Sequence, residues 1–186
     1  MLFGEGIRLR AIEQEDLPLF VRWMNDPEVI ENLLMVHPLS LAQEQDWYKG
    51  VQSRPLEERP LLAEIPGAQG VWRPIGNTGF LDFDWRNRCT EIGIFIGEKE
   101  LWSQGYGGKM LRLMLRHGFD TLNLNRIYLH VFETNPRGVR AYEKVGFVHE
   151  GRLRKAIFKN GHYFDILVMS VLRDEWNDQN EERGSF

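Results

Sequence analysis

The 186-residue chain has only one cysteine, Cys89, so no disulfide can form within it. A disulfide-stapled scaffold is therefore excluded, and a reducing compartment is expected. No run of apolar residues approaches the roughly 20 that a membrane-spanning helix needs. The first ten residues also lack the apolar segment of a secretory signal. These absences predict a cytoplasmic protein that has no membrane partner.

Charge is distributed unevenly along the chain. Residues 1–98 have a balance of −7, residues 99–160 of +7 and residues 161–186 of −4, which gives −4 in total. This asymmetry suggests two partners of opposite sign, a polyanion and a cation. The alternative is that blocks of sequence do not coincide with surfaces of the folded protein. Hydrophobic residues make up 42% of the chain and charged residues 27%, and this ordinary composition excludes wholesale disorder.

Hydrophobic periodicity predicts one α/β domain over residues 1–176 with a polar tail over 177–186. Apolar residues spaced i, i+3, i+4 and i+7 indicate a helix that begins at Leu17. Ser40, followed three residues later by a glutamine, has the pattern of a capping box before a second helix. The period then changes to two, and Asn160-Gly161 indicates a late hairpin. The predicted strands lie at residues 8–12, 61–65, 75–83, 90–96, 126–132, 153–158 and 163–172, and another begins at Phe147.

A glycine-rich turn follows the strand at residues 90–96 and leads into a helix. Helix N-termini have unpaired N–H groups that favour an anion, and glycines let the chain approach it closely. A Walker A loop is excluded, since Ser103 stands at its first glycine and Met110 follows its lysine. The dinucleotide pattern GxGxxG fits at Gly105 and Gly107, but Met110 occupies its third position. A pyrophosphate cradle of another family and a plain tight turn stay open.

A second motif lies downstream, where residues 135–147 have the sequence N-P-R-G-V-R-A-Y-E-K-V-G-F. Together with W-S-Q-G-Y-G-G at 102–108, it resembles the GNAT superfamily of acetyl-CoA-dependent N-acetyltransferases. The resemblance extends over residues 7–176 and looks closest to the branch of ribosomal-protein N-terminal and spermidine N-acetyltransferases. One departure is Trp102, which stands at the first position of the superfamily pattern [QR]xxGx[GA]. The resemblance implies a single α/β (α+β) GNAT domain, whose mixed, mostly antiparallel twisted sheet has about seven strands and about four flanking helices.

The same resemblance implies acetyl-CoA as co-substrate. Its pyrophosphate is expected on the main-chain N–H groups of residues 104–109. Its pantetheine arm is expected to pair with the strand before the glycine turn, and basic side chains, Lys144 among them, are expected to screen phosphate charge. The residues expected to bind the cofactor are Ile94, Phe95, Ile96, Gln104, Gly105, Tyr106, Gly107, Gly108, Lys109, Asn135, Arg137 and Arg140.

Tyr142 matches the family tyrosine that protonates the leaving thiolate, although the residues alone also allow a packing role. Glu91 is the candidate proton acceptor, acting through water, and it is equally open to binding a cationic substrate or facing solvent. The acidic residues Glu28, Glu31, Asp82 and Asp84 are candidates for binding a cationic amine, and a solvated turn is the alternative. The five histidines show no ligand spacing, so we expect them to be structural and assign no metal.

The sequence therefore predicts an N-acetyltransferase that moves the acetyl group from acetyl-CoA to a primary amine by direct attack. The acceptor is a protein N-terminus, a polyamine or another small amine. Two other classes stay open: a catalytically silent CoA-binding regulator, and a ribosome- or nucleic-acid-associated binding module. The pI of about 5.8 disfavours the binding module. A homodimer is expected by analogy with the family alone.

Overall fold

The structure, a computed structural model, describes residues 1–177, so all but the first residue of the predicted tail over 177–186 lies outside the described residues. Helices in chain order are α1 (Leu17–Met24), α2 (Pro27–Ile30), α3 (Leu41–Gln52), α4 (Tyr106–Arg116) and α5 (Pro136–Val145). Strands are β1 (Leu2–Gly4), β2 (Ile7–Ala11), β3 (Leu61–Pro66), β4 (Trp72–Asp84), β5 (Cys89–Ile96), β6 (Arg126–Phe132), β7 (Val148–Lys159) and β8 (His162–Leu172).

The chain forms two compact units. The first comprises Met1–Phe80 and Ile94–Met110, and the second comprises Leu81–Gly93 and the described residues from Leu111 onward. Strands β4 and β5 and helix α4 each begin in one unit and end in the other. None of the helices within residues 1–177 is long and apolar enough to span a bilayer.

In the first unit, β1, β2, β3 and β4 pair in that order, and every pair is antiparallel. Strand β1 is one more strand than the sequence predicts. It forms a hairpin with β2 through Glu5-Gly6, whose φ values of 54° and 73° lie in the left-handed region. The core of this unit is built on the apolar face of α1. Its buried members are Ile12, Leu17, Phe20, Trp23, Met24, Val29 and Leu62.

In the second unit, β5 and β6 pair in parallel, with Glu91 opposite Tyr128. The pairs β6–β8 and β7–β8 are antiparallel, so the sheet pairing is mixed and mostly antiparallel, as predicted. The predicted hairpin at Asn160-Gly161 is confirmed: Lys159 pairs with His162, and both turn residues have positive φ. The strand predicted to begin at Phe147 and the one predicted over 153–158 form a single strand, β7, in the structure.

The end of the described chain is packed. Residues 173–177 are helical, and Trp176 is buried with its ring 6.1 Å from that of Phe119. The Arg173 guanidinium donates hydrogen bonds to the carbonyls of Phe119 and Leu124, at 2.5 and 2.9 Å. The chain is therefore helical and packed up to residue 177, and the boundary at residue 176 stays a prediction.

Candidate active site

The glycine-rich turn ends where α4 begins, and its geometry fits an anion cradle. Ser103 and Gly105 have φ values of 61° and 85°, so the chain turns sharply before Tyr106 opens the helix. Gly105 is exposed, and open space surrounds the position that a Cβ would take. The N–H groups of the first turn have no partner within the helix. The structure therefore presents main-chain donors at an exposed helix N-terminus, which is what a pyrophosphate requires.

Two of the predicted loop glycines have different physical reasons to be glycine. At Gly105 the positive φ disfavours any residue with a Cβ. At Gly107 the backbone is helical, and a Cβ would meet only the Ile96 Cδ1 atom at 3.9 Å, an ordinary contact. Nothing in the protein itself therefore requires glycine at position 107. The space beside the first turn is available to a ligand.

The side chains around this turn are partly engaged already. Gln104 donates to the Glu100 carbonyl at 2.5 Å, and the Lys109 ammonium lies 5.4 Å from the centre of the Tyr106 ring. In the second unit, Arg140 and Lys144 are exposed on α5. Among residues 1–177, no carboxylate lies within ion-pair distance of Lys109, Arg140 or Lys144. These three cations remain available to a phosphate.

The predicted pantetheine strand offers fewer main-chain groups than the sequence implies. A Cβ on Gly76 of β4 would lie 2.1 Å from the Phe95 carbonyl oxygen, so that carbonyl faces β4. Neighbouring residues of a strand direct their main-chain groups to opposite edges, so Ile94 and Ile96 direct theirs away from β4. We therefore expect Ile94 and Ile96, and not Phe95, to offer main-chain groups to pantetheine. The Phe95 ring instead packs edge-on against the Phe20 and Trp23 rings.

Trp102, the departure from the superfamily pattern, is integrated into the fold. Its indole N–H donates a 2.9 Å hydrogen bond to the Ile96 carbonyl, and its ring packs against the core of the first unit. The Ile96 carbonyl, which is expected to face pantetheine, thus already accepts one hydrogen bond from the protein. Ile94 is therefore the residue on that edge that we expect to pair with pantetheine. Trp102 joins the end of β5 to the start of the glycine turn.

Helix α5 carries the predicted asparagine and tyrosine. The Asn135 Oδ1 atom accepts a 2.9 Å hydrogen bond from the Gly138 N–H, so Asn135 caps the helix as predicted. Tyr142 lies in the middle of α5, with its ring 5.8 Å from that of Phe147. Burial raises the pKa of Tyr142 to about 12. The hydroxyl has no hydrogen-bond partner within residues 1–177, and it is fully protonated at neutral pH.

Glu91 does not stand alone. Its Oε1 atom lies 2.8 Å from the His130 Nδ1 atom of β6, and the two side chains are 20% and 35% exposed. Burial raises the pKa of the adjacent Tyr128, and the charges of Glu91 and Asp82 raise it further. The sequence predicts a structural role for His130 and does not reveal this pair. The two side chains are brought together by the register between β5 and β6, which no local sequence pattern encodes.

The predicted substrate carboxylates differ in how far they are already paired. Lys99 lies 2.6 Å from Glu28 and 2.8 Å from Asp26, so much of the negative charge on this turn is neutralised. Asp84 accepts hydrogen bonds from the main chain and side chain of Asn87, which lower the pKa of Asp84. Asp82, by contrast, is exposed. Glu31 lies in the turn after α2.

A metal centre finds no support among residues 1–177, which contain no group of three histidine, cysteine, aspartate or glutamate side chains placed to hold an ion. The donors that are present are main-chain amides, a phenol and a carboxylate–imidazole pair. Donors of this kind suit acyl transfer from a thioester.

Comparison with known proteins agrees with this class. The family profile described as acetyltransferase (GNAT) domain matches residues 7–148. Spermidine N(1)-acetyltransferase of Vibrio cholerae is 30% identical over 94% of this chain and 98% of its own length. The putative ribosomal N-acetyltransferase YdaF of Bacillus subtilis is 31% identical over 53% of each chain. The crystal structure of the Vibrio cholerae spermidine N-acetyltransferase in complex with CoA and spermine superposes with a TM-score of 0.83, covering 94% of this chain and 99% of that one at 29% identity.

The fold and the site thus define an acyltransferase that uses acetyl-CoA as its co-substrate. The chain belongs to the GNAT acetyltransferase family. The binding-module class is thereby set aside, and the two motifs quoted from the sequence are the ones that carry the resemblance.

Proposed function

We propose that this protein acetylates a primary amine of a polyamine. The observation that carries the proposal is a pair of carboxylates near Tyr128: Glu91, which lies opposite it in the register of β5 and β6, and the exposed Asp82 of β4. Two carboxylates around one point favour a flexible polycation over a neutral or singly charged acceptor. Support also comes from the Vibrio cholerae relative, whose structure is described as a complex with CoA and spermine.

The proposed reaction uses the groups in the roles that their chemistry allows. The first turn of α4 holds the pyrophosphate, with Gln104, Tyr106, Gly107, Gly108 and Lys109 around it. The pantetheine arm pairs with β5 at Ile94. Asn135 caps α5, the helix that carries Tyr142. The neutral amine attacks the thioester carbonyl, and a main-chain N–H of β5 stabilises the oxyanion. Tyr142 then donates its proton to the leaving sulfur.

Catalysis rather than silent CoA binding is favoured by the state of Tyr142. The Tyr142 hydroxyl is not among the fully buried unpaired side-chain atoms of residues 1–177, so it is open to a ligand. A pKa of about 12 keeps the proton on the phenol at every physiological pH. The proton is therefore available to a thiolate, whose protonation the reaction needs.

The decisive experiment follows thiol release from acetyl-CoA with a panel of acceptors. Spermidine, spermine, an N-terminal peptide and an aminoglycoside are compared at equal concentration. We expect kcat/KM for the polyamines to exceed that for the peptide by at least about tenfold, the effect of roughly 1.4 kcal/mol. Acetylation of the peptide with no turnover of polyamines would contradict the proposal and favour a protein N-terminus.

The contribution of the carboxylates is tested by Asp82→Asn. Loss of one exposed charge near the acceptor is expected to raise KM for spermidine about two- to fivefold, in line with exposed ion pairs. Asp120→Asn, at an exposed aspartate outside the site, is the matched control and is expected to leave KM unchanged. An equal effect of both variants would mean that net charge, not position, sets the affinity.

We also propose a cellular location and an assembly state. A cytoplasmic enzyme is favoured by its acetyl-CoA requirement and by Cys89, which is a free thiol. The homodimer expected from the family is tested by sedimentation of the purified protein.

A further inference from the structure

The contact between Glu91 and His130 joins two strands that are distant in sequence. The carboxylate Oε1 lies 2.8 Å from the imidazole Nδ1, and the two residues are 39 positions apart. Within residues 1–177, the carboxylate has no other ion-pair partner, and the imidazole Nε2 atom has no hydrogen-bond partner. Within the pair, Glu91 Oε1 and His130 Nδ1 contact each other, and His130 Nε2 is left to bind a further group.

We propose that His130 is the group that takes the proton of the acceptor amine, at Nε2, while Glu91 holds Nδ1 and orients the ring. This inference rests on the proposed function and assigns a role within the same site. Glu91, the sequence candidate for the base, becomes a positioning residue. A carboxylate that fixes one nitrogen of an imidazole leaves the other as the acceptor and stabilises the imidazolium that forms.

Chemistry favours this division of roles. An unperturbed imidazole titrates near 6.5 and an unperturbed carboxyl near 4.3. A base is most effective when its pKa lies near the working pH, so the imidazole is better suited to remove a proton at neutral pH. His130 is also the more exposed partner, 35% against 20% for Glu91. Its open nitrogen is thus the atom that an incoming amine can reach.

The surroundings of the pair are also suited to this role. On β6, the Tyr128 ring lies edge-on to the imidazole at 5.8 Å, and the Arg126 guanidinium lies 4.7 Å from the centre of that phenol ring. Arg126 is paired with Glu150, which offsets its charge. On β8, the residue opposite His130 is Val168, which is uncharged. The remaining titratable groups near Tyr128 are Asp82 and Cys89.

Position 93 leaves room beside the pair. Gly93 shares the face of β5 with Glu91, because side chains two residues apart in a strand point the same way. A Cβ there would meet only the Leu81 Cδ1 atom at 3.5 Å, an ordinary contact. The face next to the carboxylate is therefore not filled by a side chain of its own strand.

The proton balance closes with these two groups and Tyr142. The acceptor ammonium gives one proton to His130 Nε2, and the neutral amine forms the C–N bond. The C–S bond then breaks as the sulfur takes the Tyr142 proton, and the excess proton on nitrogen returns to the phenolate. The products are the acetamide and the thiol of CoA, and the imidazolium releases one proton to solvent.

The test separates the two nitrogens of His130 by substitution. His130→Asn keeps a nitrogen donor near the Nδ1 position and removes the Nε2 acceptor. We expect kcat/KM to fall about 10²- to 10⁴-fold and the acidic limb of its pH profile to disappear. CoA affinity is expected to stay within about twofold. His149→Asn is the matched control, because His149 also contacts a glutamate, Glu143, at 3.1 Å.

A second measurement needs no turnover and keeps a failure of this inference distinct from a failure of the proposed function. Nitrogen NMR of the free protein is expected to show neutral His130 as the Nδ1–H tautomer. Glu91→Ala is expected to shift the neutral ring towards the Nε2–H tautomer, since it removes the acceptor that holds Nδ1–H. An Nε2–H tautomer in the parent, an unchanged tautomer in the Glu91 variant, or His130→Asn activity within threefold of the parent would each overturn the assignment.

Discussion

The substitution Gly107→Ala separates the stability of the first turn of α4 from its affinity for CoA. A Cβ at this position would meet nothing closer than the Ile96 Cδ1 atom, at 3.9 Å. Alanine is favoured over glycine within helices by about 0.5–1 kcal/mol. The free protein is therefore expected to gain about 0.5 kcal/mol of stability. For a chain of this length, that is roughly 1–2 °C in Tm.

The effect on the ligand is expected to have the opposite sign. The added methyl group would stand in the space that a pyrophosphate needs to reach the N–H groups of the first turn. If it weakens CoA binding tenfold, the cost is about 1.4 kcal/mol. At a CoA concentration of 100 Kd, the parent gains about 2.7 kcal/mol from the ligand, and the variant gains about 1.4 kcal/mol.

The assay is thermal unfolding of both proteins with and without CoA, with Kd from calorimetry. The matched control is Gly50→Ala in α3, where a Cβ would also meet nothing within 4 Å. That variant is expected to gain stability and to keep the full CoA shift. If Gly107→Ala keeps the parent shift, the first turn of α4 does not hold the pyrophosphate and the site has been placed wrongly.

Three further substitutions test other parts of the structure. Tyr142→Phe is expected to lower kcat about 10²-fold with CoA affinity unchanged, and Tyr163→Phe, on exposed β8, to change neither. Because burial raises the pKa of Tyr142 to about 12, the parent loses the contribution of this tyrosine to stability as pH rises from 10 towards 12, and Tyr142→Phe does not. Burial also raises the pKa of Glu44 to about 7, so the free energy of unfolding falls as pH rises from about 4.5 to 7. In urea unfolding, Glu44→Gln should therefore be more stable than the parent by on the order of 2 kcal/mol at pH 8 and equally stable at pH 4. Trp102→Phe removes the donor to the Ile96 carbonyl and is expected to cost about 1 kcal/mol in the same assay, and no loss would mean that the bond is not formed in solution.

The parts of the fold that the sequence predicts are those encoded by a few adjacent residues. Asn160-Gly161 predicts its hairpin because both residues adopt positive φ readily. Ser40 and Gln43 predict the start of α3, and the structure shows both hydrogen bonds of the capping box. Glu5-Gly6 makes the same kind of turn without an asparagine to mark it, and β1 is missed for that reason.

The parts that the sequence does not predict depend on register between distant segments. Glu91 and His130 meet because β5 and β6 pair in parallel across helix α4, with Glu91 opposite Tyr128. A shift of one residue would direct the imidazole to the other face of the sheet. The contact of Trp102 with the Ile96 carbonyl is likewise not predicted by the sequence. The sequence shows only that Trp102 departs from the superfamily pattern, and the way the turn folds back on β5 decides which carbonyl it meets.

Charge shows why blocks of sequence do not translate directly into binding surfaces. Lys99 belongs to the basic stretch, yet it neutralises the acidic turn at Asp26 and Glu28. Arg126 and Arg152 are likewise paired with carboxylates of their own unit. What remains for a polyanion are the cations that the fold leaves without a carboxylate, and within residues 1–177 these include Lys109, Arg140 and Lys144. We therefore expect the phosphate-binding role predicted for the whole stretch to rest on these cations, which lie on the two helices that carry the family motifs.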